Sequence, residues 1–191
     1  MSKLYDALRK LEAERGAAGI ATPSRLDAVR LAQFLDLHDG LFRTPAGAEA
    51  VAGRFAHGIG RVLGLAGVGI GLVRGGRYRL LAVHGVARDL LAADDGLPPE
   101  DTSVAPALAS GRPLVLGPSA VGLFAHRVVL PFHAEAPGVL QLLVSADAAL
   151  SPDDVALARV LAAVAGMAVG RAAASDSVSA RAPRPAPAIA W

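Results

Sequence analysis

The sequence predicts an α+β domain: a central antiparallel sheet with helices on both faces, a helical extension ahead of it and a disordered tail behind. Two observations carry that prediction. Residues 127–133 and 139–145 are two apolar runs of strand length separated by a break containing Ala136-Pro137-Gly138, the pattern of an antiparallel hairpin. Residues 67–74 and 77–83 are a second such pair across Gly75-Gly76, a two-residue loop that is a strong hairpin signal. In 139–145 the alternation is broken, with Gln141 between Leu140 and Leu142, so both faces of that strand should be covered.

The helices follow from spacing and caps. Residues 2–15 place Leu4, Ala7, Leu8 and Leu11 on one face behind a Ser2 cap, with Gly16 to close the end. A helix of some thirteen residues is marginal alone, near the ~12–15 that an isolated helix needs, so its apolar stripe must rest on something. Residues 17–23 read as a linker, and Ser24-x-x-Asp27 resembles a capping box opening a helix that Gly40 stops. Thr44-Pro45 is a cap followed by proline, and Val51, Phe55, Ile59, Val62 and Leu63 keep helical spacing as far as Gly64. Between the hairpins come weak helical patterning over 86–93, a polar loop over 94–101, a short helix over 104–110 ended by Gly111, and a short strand over 113–116. Ser151-Pro152-Asp153-Asp154 opens the last helix, expected to reach about Ala173. From 174 on the chain is rich in Ser, Ala and Pro and is expected to be disordered, with Trp191 as a lone terminal aromatic.

Composition excludes several chemistries. The 191 residues contain no cysteine, which removes disulfides, thiolate metal sites and cysteine nucleophiles. The net charge is +2 and the arginines are scattered, against a nucleic-acid interface. Charge-free runs such as 160–170 fall short of the ~20 residues of a membrane span, and the charged N-terminus is unlike a signal peptide. A cytoplasmic protein without a membrane span is expected.

Along 45–173, several motifs resemble those of a GAF domain, the α/β sensory module of bacterial signalling proteins. They are Leu97-Pro98, the run VAPALASGRPLV at 104–115, Val129-Leu130-Pro131-Phe132, Gly138-Val139-Leu140-Gln141-Leu142 and Ser151-Pro152-Asp153-Asp154. The resemblance implies an antiparallel sheet with first and last helices on one face, a small-molecule pocket on the other, and a homodimer through those helices. It lacks two family signatures: a cysteine for a bilin or for sulfoxide-reducing members, and the Asn-Lys-Phe-Asp-Glu set of cyclic-nucleotide binders. The opening MSKLYDALRKLEAERG resembles an N-terminal tag of bacterial secretion and exopolysaccharide ATPases. That likeness implies a docking helix, through Leu4, Ala7, Leu8 and Leu11, for a protein partner. The domains expected are therefore 1–16 as docking helix, 17–44 as linker and helix, 45–173 as the GAF-like domain and 174–191 as tail.

Candidate ligand residues are Gly69 and Gly71, whose strand face carries no side chains, with His84, Phe124 and His126 at the pocket mouth. The Gly67-x-Gly-x-Gly71 run lies inside a strand, so it is not a dinucleotide loop. Ser119 lacks a nucleophile elbow. The five histidines show no metal-binding spacing, so no metal or cofactor is expected. Asp94-Asp95 and Glu100-Asp101 read as a solvated loop rather than an acid pair. Gly166-x-x-x-Gly170 allows close helix approach, to the helix over 45–64 or to a dimer mate. No nucleophile–base set is visible, and the function expected is non-catalytic: a regulatory domain that senses a small ligand or partner and acts through protein association. The alternative is a dimerising scaffold with a filled pocket, tethered by its N-terminal helix.

Overall fold

A computed structural model describes residues 47–85, 88–117, 124–145 and 150–181 together with Arg30, Ala32 and Gln33; side chains are described for all of these except 124, 125 and 178–181. The expected helix over 2–15, the linker, the Thr44-Pro45 cap and the terminal tail from 182 lie outside the described residues.

The elements run α1 (Ala48–Leu63), β1 (Gly67–Arg74), β2 (Arg77–Gly85), α2 (Arg88–Ala92), a 3₁₀ turn (Pro99–Asp101), α3 (Ala105–Ser110), β3 (Leu114–Leu116), β4 (Phe124–His133), β5 (Pro137–Ser145) and α4 (Pro152–Arg181). The strands form one antiparallel sheet in the order β2-β1-β5-β4-β3. Both expected hairpins are present, and β5, the strand with the broken alternation, is central and buried along both faces. Gly75 and Gly76 carry φ of 59° and 71°, the left-handed pair that a tight two-residue turn requires.

One sheet face carries the main core. Val68, Ile70 and Leu72 of β1, Leu140, Leu142 and Val144 of β5, and Val128, Leu130 and Phe132 of β4 meet Phe55 and Ile59 of α1 and Leu161 and Ala165 of α4. The opposite face is roofed by α2, the 3₁₀ turn and α3, which bring Leu91, Val104 and Ala107 onto Tyr78, Val129, Val139 and Leu143. Alternation along the strands thus feeds two different layers.

The last helix departs from expectation at its far end. It continues to Arg181, well past Ala173, through a segment expected to be disordered. Residues 174–181, ASDSVSAR, are mostly weak helix formers, and two tertiary contacts anchor the extension. Asp176 accepts the backbone N–H of Ala48 at 2.9 Å, and Arg74 donates to the carbonyl of Ala173 and to the Ser177 hydroxyl. At the start, Ser151 and Asp154 cap each other reciprocally, with Asp154 N–H donating to Ser151 Oγ at 3.1 Å and Ser151 N–H to Asp154 Oδ2 at 3.0 Å. Arg30 reaches Asp154 at 2.8 Å.

Gly166 and Gly170 do not face α1. A side chain at Gly166 would overlap the Phe132 ring, and one at Gly170 would press on Ala134 and Glu135. The two glycines let α4 settle on the end of β4. Within Pro152–Ser177 an 18-residue stretch has a mean hydropathy of 1.6, so by length and composition the helix could cross a membrane, a property that the charge-free runs alone understated. In this fold it is a core helix, with 44% of that 18-residue stretch buried.

Candidate functional site

The roofed face of the sheet is where the sequence placed a ligand. Gly69 and Gly71 do leave that face bare of their own side chains, and neighbours occupy the space. A Cβ at Gly69 would stand 2.8 Å from Leu91 Cδ1, and one at Gly71 would lie 2.1 Å from Tyr78 Oη. Glycine is needed at 71 so that the Tyr78 ring can lie against the strand backbone. Tyr78 comes from the neighbouring strand and is fully buried, Leu91 from α2.

A polar chain runs inward from the roof. Ser103 donates to Asp94 from its backbone N–H at 3.0 Å and from its hydroxyl at 2.5 Å. Asp94 pairs with Arg127 at 3.2 Å, and Arg127 Nε donates to Gln141 Oε1 at 2.7 Å. Gln141 Nε2 in turn donates to Tyr78 Oη at 2.6 Å. Side-chain exposures of 11% for Arg127 and 10% for Asp94 make this a largely desolvated ion pair, whose charges are tolerated because each is hydrogen-bonded. No buried side-chain nitrogen or oxygen among the described residues lacks a partner. Burial pushes the Tyr78 phenol well above its ordinary value, with the Gln141 hydrogen bond and the Arg127 charge opposing.

The loop expected to be solvated is therefore split. Asp94 is buried in the chain just described, and Asp95 accepts the backbone N–H of Leu80 at 2.9 Å, while Glu100 and Asp101 are exposed. The loop follows β2 like a further strand edge, with Tyr78 N–H donating to Leu97 O and Gly96 N–H to Tyr78 O. Asp94 is held by geometry that no local pattern announces. Gln141 did carry a signal: an amide inside an apolar strand covered on both faces must find a buried partner.

The structure does not bring the predicted ligand residues together. His84 pairs in register with Val68, and its ring lies against Gly60 of α1, on the core-helix side of the sheet and not the roofed side. Between Ile70 and Gly71 a bulge shifts the register of β2, which a plain alternation misses. His126 pairs with Val144, again on the core-helix side, and is exposed. Phe124 lies in β4, but its side chain is not among those described. A separate shallow cleft of about 180 Å³ lies where β4 runs on past β3, lined by Gly111, Pro113, Leu130, Pro131 and Arg159. Among the described residues no group of three or more His, Asp or Glu side chains could hold a metal ion.

No protein-family model and no curated protein matches the chain. Solved structures do. The GAF domain of a phosphoenolpyruvate-protein phosphotransferase from Acinetobacter superposes with a TM-score of 0.63 at 13% identity, over 80% of this chain and 97% of that one. A free methionine-R-sulfoxide reductase from Neisseria meningitidis, in complex with its substrate, gives 0.62 at 17% identity over 82% and 96%. The GAF-B domain of DevS from Mycobacterium smegmatis gives 0.55 at 19% identity over 69% and 98%. Five antiparallel strands in this order, with α1 and α4 on one face and short helical pieces on the other, make the fold that of a GAF domain.

Proposed function

We propose that this chain is a non-catalytic regulatory domain of GAF type that works through protein association, in the cytoplasm, with the glycine-lined part of its ligand face occupied by its own side chains. The observation that carries this reading is the placement of Tyr78 over Gly71 and Leu91 over Gly69, with the polar chain behind them satisfied. A resident small molecule would have to displace both. Among the solved neighbours are the GAF domain of a phosphotransferase and, with a TM-score of 0.55 at 16% identity, a methyl-accepting chemotaxis protein, which supports a signalling role, and a reductase, which argues for chemistry. The lack of any cysteine removes thiol chemistry from this chain.

Association has a surface to use. On the outer side of α4, Ala156, Val160, Ala163 and Met167 are exposed at spacings of four, three and four, the rhythm of a helix–helix seam. A second copy of the same helix is the occupant that such a stripe of small and apolar residues fits, giving an isologous dimer. The N-terminal helix, through Leu4, Ala7, Leu8 and Leu11, would then dock a separate protein.

Light scattering on the purified chain tests the first part. The native protein should be a dimer, Met167→Glu should shift it toward monomer, and a metabolite panel should leave its melting temperature unchanged. A monomer at every concentration, or a saturable thermal shift with one metabolite, would defeat the reading. Removing residues 1–16 should abolish partner capture and leave the dimer intact.

A further inference from the structure

The geometry points to a two-histidine site for a divalent transition cation, with zinc as the type case, formed by His57 of α1 and His84 of β2. The two Nδ1 atoms are 3.3 Å apart, and the rings meet edge to face with centroids 4.6 Å apart. Two zinc–nitrogen bonds of about 2.05 Å, opened to a tetrahedral angle, put their nitrogens about 3.3 Å apart. The observed separation is thus the bite of a bidentate chelate. Without a cation, one Nδ1–H donates to the other nitrogen; with one, that imidazole carries its proton on Nε2 instead, and both Nδ1 lone pairs are free for the cation.

The pair is held by the fold rather than by chance rotamers. His57 sits on a core helix and His84 on a sheet strand that packs directly beneath it. Gly60, one turn along from His57, is the residue that makes room. A Cβ there would stand 2.6 Å from His84 Cδ2, so any other side chain would push the imidazole away. His57 is exposed and His84 half-buried, which leaves a path for a hydrated ion and room for water in the remaining coordination positions. Arg61, a turn beyond His57, is exposed and can swing its charge into solvent. Imidazole ligands suit zinc, nickel and copper in particular.

This inference is independent of the roofed face, since both histidines lie on the opposite side of the sheet. The test uses the full chain without a polyhistidine tag, stripped of metal. Zn²⁺ is titrated calorimetrically and Cu²⁺ is read by electron paramagnetic resonance. One equivalent should bind, with a copper spectrum showing two nitrogens. Each of His57→Gln and His84→Gln should weaken binding about 10²-fold, the scale of losing one arm of a chelate, while His126→Gln and His133→Gln leave it unchanged. In the unsubstituted protein, Zn²⁺ should perturb the ring resonances of two of the five histidines. A one-nitrogen spectrum, binding insensitive to both substitutions, perturbation of other histidines, or no binding below about millimolar would overturn the site.

Discussion

The carboxylate of Asp176 accepts the backbone N–H of Ala48 at 2.9 Å, across 128 positions of sequence. The first turn of α1 has no side-chain cap from its own Ncap, Gly47, so α4 supplies one. The end of the last helix thereby fixes where the first core helix begins. A negative group near a helix N-terminus also meets the positive end of its dipole.

Asp176→Ala should therefore lower stability by about 1 kcal/mol, the usual size of a lost N-cap, and Asp176→Asn should lose less. Urea unfolding midpoints compare the three. Ending the chain at Ala174 should cost at least as much as Asp176→Ala, because the hydrogen bond between Arg74 and Ser177 goes as well. Unchanged midpoints would mean that the terminal turns of α4 do not hold α1.

The ion pair on the roofed face makes a stronger claim. Arg127→Met leaves Asp94 largely buried without its countercharge, and the loss should be about 3 kcal/mol or more. Asp94→Asn should be comparable, since it strands the guanidinium. Replacing both should cost less than the sum of the single changes, and a double-mutant cycle measures that coupling. Additive losses would show that the pair is screened as a surface bridge is.

How much of this was legible in the sequence depends on the range of the interaction. The two hairpins, the cap at Ser151 and the stop at Gly111 are written in contiguous residues and lie where the pattern places them, except that Pro137 and Gly138, expected in the break, pair with His133 and Phe132 as the start of β5. Asp176 gave no such sign, because the group that it satisfies is the N–H of Ala48. His84, expected at the pocket mouth, faces α1 instead, because a bulge in β2 opposite Ile70 and Gly71 resets the alternation of that strand. The bare glycine face was expected to receive a ligand; what lies against it is Tyr78 and Leu91, and only packing decides that.

Tyr78 supplies a pH test. Burial raises its phenol above the ordinary value, so the folded state holds the proton where the unfolded chain releases it. Its contribution is fully present below about pH 10, the unfolded value, and is lost as pH rises toward the folded one. Ultraviolet titration should show one of the two tyrosines ionising only as the protein unfolds. Tyr78→Phe should flatten the alkaline fall in stability. A normal titration of both phenols in the folded protein would mean that water reaches the Tyr78 hydroxyl.

The same residue also decides what Gly71 is for. Gly71→Ala puts a methyl group 2.1 Å from Tyr78 Oη and 2.4 Å from Cζ, and the ring cannot retreat without breaking its bond to Gln141. Overpacking of this kind costs about 1–3 kcal/mol. Shortening the partner should reverse the effect of the methyl group. In a Tyr78→Leu background, Gly71→Ala should be nearly neutral, because its Cβ then enters space that the ring has left. Equal losses in both backgrounds would mean that the glycine serves the strand's backbone and not the tyrosine lying on it.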